Sequence, residues 1–251
     1  MYNNELLLEE KTRVWAFIQN RALEKSYPQD YLDKLSILKD DMYEICLLPN
    51  FENITDILDT DIKLAFNFAK NAHKDQFRRF INMPYIIHPL EMATRLSLVD
   101  VSKSAIMGAL LHDVTEDCGV LLEDLSTMFG KDVAYYVYYL TDIAKPTDGN
   151  RAIRLEINFK HFKQSNWDAH NIKLVDLISN TRSLVLCDPR FAKSYTQELQ
   201  KALMYFKNNV NYLNESLCST LFKMTEIATQ VIELQNEYNI IKLENKKTNK
   251  A

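Results

Sequence analysis

Four ionisable side chains, of the kinds that bind metal ions or transfer protons, follow directly on an apolar, helix-forming segment. The segment is residues 104–111, and the four residues are His112, Asp113, Glu116 and Asp117. Residues three and four positions apart share one face of a helix, so one imidazole and three carboxyl groups would occupy one patch. Like charges at such short range disfavour full ionisation unless a cation lies among them. The spacing therefore predicts a metal site.

A solvated helix end is the alternative explanation for a His-Asp pair taken alone, and two distant residues favour the metal site over it. His88 lies where the sequence predicts a helix start, with a proline in the first turn. Asp176 is an isolated acid in an apolar segment, where an unpaired charge is expensive. Two imidazoles and two carboxylates form a mixed ligand set that suits Mn²⁺, Fe²⁺ or Zn²⁺. The four predicted ligands are His88, His112, Asp113 and Asp176.

The elements that must position these residues are predicted to be helices. Helical periodicity dominates the chain, and no alternating pattern with hairpin signals predicts a sheet. Breaks in the periodicity coincide with prolines and glycines. We therefore predict an all-α fold. The predicted helices lie near residues 4–24, 28–47, 59–76, 89–99, 103–117, 121–129, 131–142, 149–165, 170–187, 191–207 and 213–238.

The order of the predicted ligands resembles that of the HD-domain metal-dependent phosphohydrolases. Further motifs, over about residues 58–207, are similar to the hydrolase domain of RelA/SpoT proteins and their single-domain relatives, the small alarmone hydrolases. The motifs are Ala72-His-Lys-Asp-Gln-Phe-Arg-Arg79, Pro84-Tyr-Ile-Ile-His-Pro89, Ala109-Leu-Leu-His-Asp-Val-Thr-Glu-Asp117, Phe129-Gly130 and Ile172-Lys-Leu-Val-Asp176. The resemblance implies an all-helical HD-domain bundle, a divalent ion that is typically Mn²⁺, and removal of pyrophosphate from the 3′ position of ppGpp or pppGpp.

Two acids beside the predicted ligands are the candidate catalytic residues. Glu116 and Asp117 stand as in those family members that hydrolyse, and we expect them to deprotonate the attacking water or protonate the leaving oxygen. The sequence leaves open which of the two is the base. The alternative is a supporting role in which they hold His112 or Asp113 in place.

The resemblance also suggests four substrate-binding residues. By similarity, Arg78 packs on the purine, and Arg79 replaces a lysine that faces phosphate. For both arginines, an exposed surface charge is the alternative. Asn180 and Ser183 lie one turn and nearly two turns after Asp176, so both would line the nucleotide side of that helix.

Two departures from the family pattern affect the nucleotide pocket rather than the metal. Leu177-Ile-Ser-Asn180 stands where the family usually has Arg-Leu-His-Asn, so a basic and an aromatic group are lost. The segment from residue 78 to residue 84 is one residue longer than usual and lacks its glycine. We therefore expect poor discrimination between guanine and adenine.

The three remaining histidines are predicted to lie outside the metal site. His73 stands one turn before Phe77, which predicts a buried hydrogen bond behind the site. His161 and His170 lie in segments rich in lysine, asparagine and glutamine, and these predict exposed side chains.

The composition argues against several classes of function. The formal net charge of −4 argues against a nucleic-acid partner, whose usual footprint is basic. The four glycines are too far apart for a glycine-rich phosphate loop, and the four cysteines form no Cys-x-x-Cys pair. The sequence has no secretory signal and no apolar run of about 18 residues, which predicts no membrane partner and a location in the reducing cytoplasm.

The length of 251 residues allows one sizeable domain with an appendage, and we expect a stand-alone hydrolase. Its predicted substrate is a small 3′-diphosphorylated purine nucleotide of the ppGpp, pppGpp or ppApp type. The alternatives are an HD-domain phosphohydrolase or nucleotidase for another nucleotide, and a nucleotide-sensing protein without turnover. The oligomeric state, the metal used in vivo and the role of the N-terminal extension stay open. The predicted parts are a helical N-terminal extension (1–57), an HD hydrolase domain (58–207), and a C-terminal helix with a charged tail (208–251).

Overall fold

Apolar residues recur at helical spacing along most of the chain, and the structure is correspondingly helical. A computed structural model describes residues 3–48, 59–208 and 213–248. In these ranges the only β feature is an isolated antiparallel bridge between Phe77 and Pro84, so the predicted all-α fold is confirmed. The helices are α1 (Asn4–Lys25), α2 (Gln29–Glu44), α3 (Thr60–Ala72), α4 (Ile87–Leu96), α5 (Lys103–Leu111), α6 (Val114–Cys118), α7 (Leu122–Phe129), α8 (Lys131–Leu140), α9 (Arg151–Phe162), α10 (Trp167–Cys187), α11 (Pro189–Lys207) and α12 (Glu215–Thr248).

Helix α5 is the apolar support of the predicted metal site. Every residue from Ala105 to Leu111 is buried, and the helix packs against α3, α4, α8 and α10. Gly108 permits the close approach of α8, because a Cβ at this position would lie 2.8 Å from the Cβ of Tyr136. This packing fixes the end of α5, where His112 follows.

The single helix predicted over residues 103–117 is wrong, since the structure divides it at His112 and Asp113. The backbone of Asp113 has φ −96° and ψ −6°, in the bridge region outside ideal helix geometry. α5 is buried from Ala105 to Leu111, whereas only Val114 is buried in α6, so the two helices need different orientations. The break separates His112 and Asp113 from Glu116. The first two lie close to His88 on α4, and His112 also lies close to Asp176 on α10, whereas Glu116 contacts the segment after α8.

Helix α10 carries the predicted ligand Asp176 through the centre of the bundle. It packs against α4, α5 and α8, and also against α1, α2, α11 and α12. Its start is fixed by Asn166, whose side chain accepts a hydrogen bond from the backbone N–H of Ala169 at 3.1 Å. The helix therefore begins at Trp167 rather than at the predicted residue 170.

Helices α1 and α2 pack on the bundle. α1 buries Leu7, Val14 and Ile18 on one stripe and contacts α2 and α10, while α2 contacts α10 and α12. The predicted boundary at residues 57 and 58 lies outside the described residues, as do residues 249–251 of the predicted tail. The division of the chain into three parts stays a prediction.

Helix α12 packs against α2, α10 and α11. It continues to Thr248, past the predicted end at residue 238. No helix in the described ranges combines the length and the apolar character that crossing a membrane requires.

Candidate active site

Three of the predicted metal ligands converge from three different helices. His88 lies in the first turn of α4, His112 directly follows α5, and Asp176 lies in the middle of α10. One ligand-type atom from each lies within 4.8 Å of the others, and His88 Nε2 is 3.4 Å from Asp176 Oδ1. All three side chains are buried. The arrangement is a candidate His-His-Asp metal site.

The fourth predicted ligand, Asp113, lies beside this set of three. Its Oδ2 atom is 2.8 Å from His112 Nε2 and 3.9 Å from His88 Nε2. The hydroxyl of Tyr85 donates a hydrogen bond to the same oxygen. The structure thus brings the four predicted ligands together, with Asp113 held between the imidazole of His112 and the phenol of Tyr85. His88, His112, Asp113 and Asp176 form the ligand cluster.

Both imidazoles are oriented by a contact at Nδ1, which leaves Nε2 directed at the acids. His112 Nδ1 lies 2.9 Å from the carbonyl oxygen of Ala109, and His88 Nδ1 lies 2.9 Å from Ser179 Oγ. Metal-binding histidines typically donate their other ring N–H to a partner of this kind. Two Nε2 atoms beside carboxylate oxygens form a donor set that fits a divalent cation.

The charges of the cluster also favour a cation. Burial alone would raise the pKa values of Asp113 and Asp176, but His112 beside the first and Lys173 beside the second hold both well below the usual range. Burial alone would lower the pKa of His112, but the two acids raise it to about 9. Asp113 and Asp176 therefore keep a proton on the His112 ring, and a divalent ion bound among these groups would replace that positive charge.

Glu116 and Asp117 lie on α6, outside the ligand cluster. Glu116 Oε2 accepts a hydrogen bond from the backbone N–H of Asp142 at 3.1 Å. Partial desolvation raises the pKa of both carboxyl groups, and the negative charge of Asp113 raises both further. Both residues are exposed, so water and substrate can reach them. A raised pKa combined with access suits a carboxyl group that exchanges protons.

Two charged residues next to the cluster are not among those that the sequence singles out. Lys173 Nζ lies 2.7 Å from Asp176 Oδ2. Its position three residues before Asp176 on one helix is a signal that could have revealed it. Asp142 follows α8, and partial desolvation raises its pKa although Lys173 opposes the shift. No local sequence pattern connects Asp142 with residues so far along the chain.

Three of the four predicted substrate-binding residues form one group. The Arg78 guanidinium donates to Asn180 Oδ1 at 2.9 Å and to Ser183 Oγ at 3.5 Å. The Asn180 amide donates to Asp176 Oδ1 at 2.7 Å, so the group adjoins the ligand cluster. Arg79 is exposed and lies over the ring of Phe80, 5.0 Å from its centre. This position favours the surface-charge alternative for Arg79.

A cavity of about 270 Å³ opens beside Asp176. Asn180 also lines it, so the cavity adjoins both the ligand cluster and the Arg78 group. Its other walls combine cationic and aromatic side chains, which suit a nucleotide, with the acids Asp142, Glu156 and Glu198. The cationic residues are Lys173, Lys201 and Arg151, and the aromatic residues include Tyr139, Phe159 and Phe206.

Two of the three remaining histidines differ from expectation. His73 is buried with Nδ1 2.7 Å from Gln76 Oε1, which confirms the predicted hydrogen bond. The prediction that His161 and His170 are exposed is wrong, because both are buried. His161 Nε2 lies 2.8 Å from the carbonyl oxygen of Tyr138, and His170 packs among aromatic rings at the start of α10. The polar neighbours Lys160, Lys163 and Gln164 are exposed, and they obscure the packing of His161 in the sequence.

The described geometry agrees with the relatives of the chain. Residues 65–201, more than half of the chain, match the family model described as the HD domain. The chain belongs to the HD-domain family. The matched range contains every predicted ligand, catalytic and substrate-binding residue, whereas α1, α2 and α12 lie outside it. HD domains are helical and metal-dependent. The helical fold of this chain and its candidate His-His-Asp metal site agree with both properties.

Individual relatives narrow the comparison within the HD-domain family. The guanosine-3′,5′-bis(diphosphate) 3′-pyrophosphohydrolase MESH1 of Drosophila melanogaster is 31% identical over 170 residues, which cover 66% of this chain and 92% of that protein. A solved structure, described as a metazoan orthologue of SpoT that hydrolyses ppGpp, matches with a TM-score of 0.56 and 26% identity. The match covers 68% of this chain and 96% of that one.

The bacterial relatives are much longer than the matched segment. The guanosine-3′,5′-bis(diphosphate) 3′-pyrophosphohydrolase of Aquifex aeolicus is 40% identical over 85 residues, or 34% of this chain. The chain spans only 12% of the length of that protein. The similarity to this bacterial protein therefore concerns one segment of it and not its other parts.

Proposed function

We propose that this HD-domain protein is a metal-dependent hydrolase that removes pyrophosphate from the 3′ position of a purine nucleotide such as ppGpp, pppGpp or ppApp. The observation that carries the proposal is the buried cluster of His88, His112 and Asp176 beside a cavity whose walls include cationic, acidic and aromatic side chains. The names of the Drosophila relative and of the solved metazoan structure support the same activity.

We assign His88, His112, Asp113 and Asp176 as ligands of one divalent ion, Mn²⁺ by resemblance, with Fe²⁺ or Zn²⁺ as alternatives. When bound, such an ion lowers the pKa of water and screens the charge of a polyphosphate. Tyr85 and Lys173 each contact one ligand carboxylate, and these contacts hold the two acids in orientation. Burial of the cluster in the bundle keeps the ligand geometry rigid.

Glu116 and Asp117 are proposed as the catalytic acids and bases. One of them takes a proton from the attacking water, and the other delivers a proton to the leaving oxygen. Their raised pKa values bring each carboxyl group closer to neutral pH, where proton transfer in both directions is efficient. The hydrogen bond from Asp142 N–H holds Glu116 at the edge of the site.

Arg78, Asn180 and Ser183 are proposed to bind the nucleoside. The guanidinium of Arg78 is already held flat by Asn180 and by the carbonyl oxygen of Ser179, so it offers an oriented surface on which a purine can stack. Of the cations on the cavity walls, Lys173 pairs with Asp176 and Arg151 pairs with Glu198. Lys201 can therefore offset the charge of a phosphate most directly.

The proposed activity is tested by incubating the full chain and Mn²⁺ with ppGpp, pppGpp, ppApp and purine 5′-diphosphates, and resolving the products by ion-exchange chromatography. We expect pyrophosphate and the corresponding 5′-phosphorylated nucleotide from each 3′-diphosphate, with similar rates for guanine and adenine. Release of orthophosphate alone would favour a broader nucleotidase. Binding without turnover would favour a nucleotide-sensing protein.

Arg78→Ala should weaken substrate binding by about 1 to 3 kcal/mol, the usual cost of losing a base-stacking contact. The expected result is a rise in KM with the metal content unchanged, because Arg78 contacts Asn180 and not a predicted ligand. Steady-state kinetics and elemental analysis measure the two quantities. Lys74→Ala is the matched control, since it removes an exposed positive charge from the same segment. An unchanged KM for Arg78→Ala would assign Arg78 to loop packing.

We also propose a reducing compartment, the cytoplasm, for this protein. All four cysteines are free in the structure, and Cys46 and Cys187 are buried. Persistent free thiols are typical of reducing compartments. The predictions of no nucleic-acid partner and no membrane partner stay predictions.

A further inference from the structure

A row of buried polar side chains connects helix α1 with the metal-site ligand His88. It starts at Glu10, which is 2% exposed. The carboxylate of Glu10 accepts hydrogen bonds from Arg182 Nε at 3.0 Å and Arg182 Nη2 at 3.1 Å. The hydroxyl of Tyr43, on α2, donates to the same carboxylate at 2.9 Å. Two helices outside the HD-domain match thus hold the buried guanidinium of Arg182 on α10.

The second step joins Arg182 to Glu91 on α4. Arg182 Nη1 and Nη2 donate to the two oxygens of Glu91 at 2.9 and 2.7 Å. This bidentate contact fixes the guanidinium plane relative to the carboxylate plane. Arg95 Nε donates to Glu91 Oε1 at 2.8 Å. Burial alone would raise the pKa of Glu91, but the two guanidinium groups hold it well below the usual range. Glu91 is therefore an ionised group that can only accept hydrogen bonds.

The third step fixes the direction of the hydrogen bonds at Ser179. Its Oγ lies 2.6 Å from Glu91 Oε2 and 2.9 Å from His88 Nδ1. A hydroxyl has one proton, and the ionised carboxylate needs it, so Ser179 donates to Glu91. The Ser179 oxygen must then accept from His88, which places the ring proton on Nδ1. The lone pair of a neutral His88 ring is left on Nε2, the atom 3.4 Å from Asp176 Oδ1.

We propose that Glu10 is a positioning residue for the metal centre, acting through Arg182, Glu91 and Ser179 to hold His88 as the Nδ1–H tautomer with Nε2 free for the ion. The inference rests on the proposed metal site and gives the N-terminal extension a role in it. The charges alternate from Glu10 through Arg182 to Glu91, and the neutral Ser179 hydroxyl joins Glu91 to His88. Without the carboxylate of Glu10, Arg182 loses the two hydrogen bonds that it donates to that group, and the orientation of Glu91 and Ser179 is less strictly fixed.

The tautomer of His88 can be observed directly in the metal-free full chain. Nitrogen-15 NMR of the imidazole rings distinguishes Nδ1–H from Nε2–H, and the signals of His88 are identified by their loss in His88→Gln. We expect the Nδ1–H form in the unsubstituted protein and a mixture of forms in Ser179→Ala, which removes the acceptor. Glu10→Gln should move the signals in the same direction by a smaller amount. Glu9→Gln is the matched control, since Glu9 is the exposed neighbour on the same helix.

Metal affinity gives a second measurement on the same variants. We expect the Mn²⁺ dissociation constant, obtained by competition with a chelating dye, to rise about 10- to 100-fold in Ser179→Ala. Glu10→Gln should raise it by less. The double variant should bind no more weakly than Ser179→Ala alone, because Glu10 acts through Ser179 and the two effects are not additive. A residue that merely stabilised the fold would give additive losses and an unchanged tautomer.

Tyr43→Phe keeps the inference testable if Glu10→Gln does not fold, because it removes only one hydrogen bond to Glu10. It should shift the His88 signals slightly toward the mixed state. Unchanged His88 signals in Ser179→Ala and in the folded Glu10 or Tyr43 variant would overturn the inference, as would unchanged Mn²⁺ affinity in these variants. If the unsubstituted protein binds no divalent ion, the proposed function fails and this inference fails with it. If that protein binds Mn²⁺ and hydrolyses nucleotide while the variants behave like it, only the inference fails.

Discussion

His112→Ala and Asp176→Ala should each abolish metal binding and, with it, hydrolysis. Each substitution removes one donor from a buried cluster in which the remaining charges are left uncompensated. Elemental analysis of the purified protein should find about one divalent ion per chain before substitution and none after it. Treatment with EDTA should abolish activity in the same way, and added Mn²⁺ should restore it.

The matched control for these variants is His161→Gln. His161 is as buried as His112, but it contacts the backbone of α8 rather than the cluster. Its substitution should leave the metal content unchanged. An active preparation that contains no metal would contradict the scheme, and so would a metal content that falls equally in His161→Gln.

Metal binding should also strengthen as the pH rises toward about 9. The acids raise the pKa of His112 to about 9, so at lower pH the metal-free ring carries a proton that the ion must displace. One displaced proton changes the apparent affinity by about tenfold per pH unit below that pKa. Dissociation constants measured over a series of buffers test this slope.

The ligand cluster could be predicted from the sequence because each member carries a local signal. An imidazole next to a carboxylate at the end of an apolar segment, a histidine at a helix start, and a lone acid in an apolar helix are each unusual positions for these residue types. The helical periodicity predicted the elements that carry them. The convergence of His88, His112 and Asp176 then follows from packing α4, α5 and α10 together.

The path of the chain at His112 and Asp113 could not be predicted in the same way. Both residues fit a continuous helix, and nothing in the local sequence marks a break between an apolar segment and a polar one. The break arises because residues 105–111 of α5 are all buried, while Val114 alone is buried in α6. Burial by distant elements overrides local preference here.

The row from Glu10 to Ser179 also has no local signal. Glu9 and Glu10 are adjacent and alike in sequence, yet one is exposed and pairs with Arg13 while the other is buried against Arg182. The difference comes from the docking of α1 on α10. The partners that distinguish Glu10 from Glu9 are Arg182 and Tyr43, which lie on other helices, and sequence spacing does not reveal them.

Glu116→Gln and Asp117→Asn should each lower turnover by roughly 10²- to 10⁴-fold while the metal is retained. The amide introduced by Glu116→Gln keeps an oxygen able to accept from Asp142 N–H, so the position of α6 should be preserved while the proton exchange is lost. Neither residue belongs to the ligand cluster. Single-turnover kinetics with elemental analysis separates a loss of chemistry from a loss of metal, and Glu123→Gln on α7 is an exposed control.

The dependence of the remaining activity on pH identifies the role of each acid. The base must be deprotonated to act, so activity is lost as the pH falls through the pKa of the base. Partial desolvation raises this pKa above that of an ordinary carboxyl group. The acid must be protonated, so it causes the loss as the pH rises. The variant that removes the acidic limb of the profile therefore lacks the base. Near-normal rates in both variants would instead assign Glu116 and Asp117 to holding the ligands, since a carboxyl group that transfers no proton can be replaced by its amide at little cost.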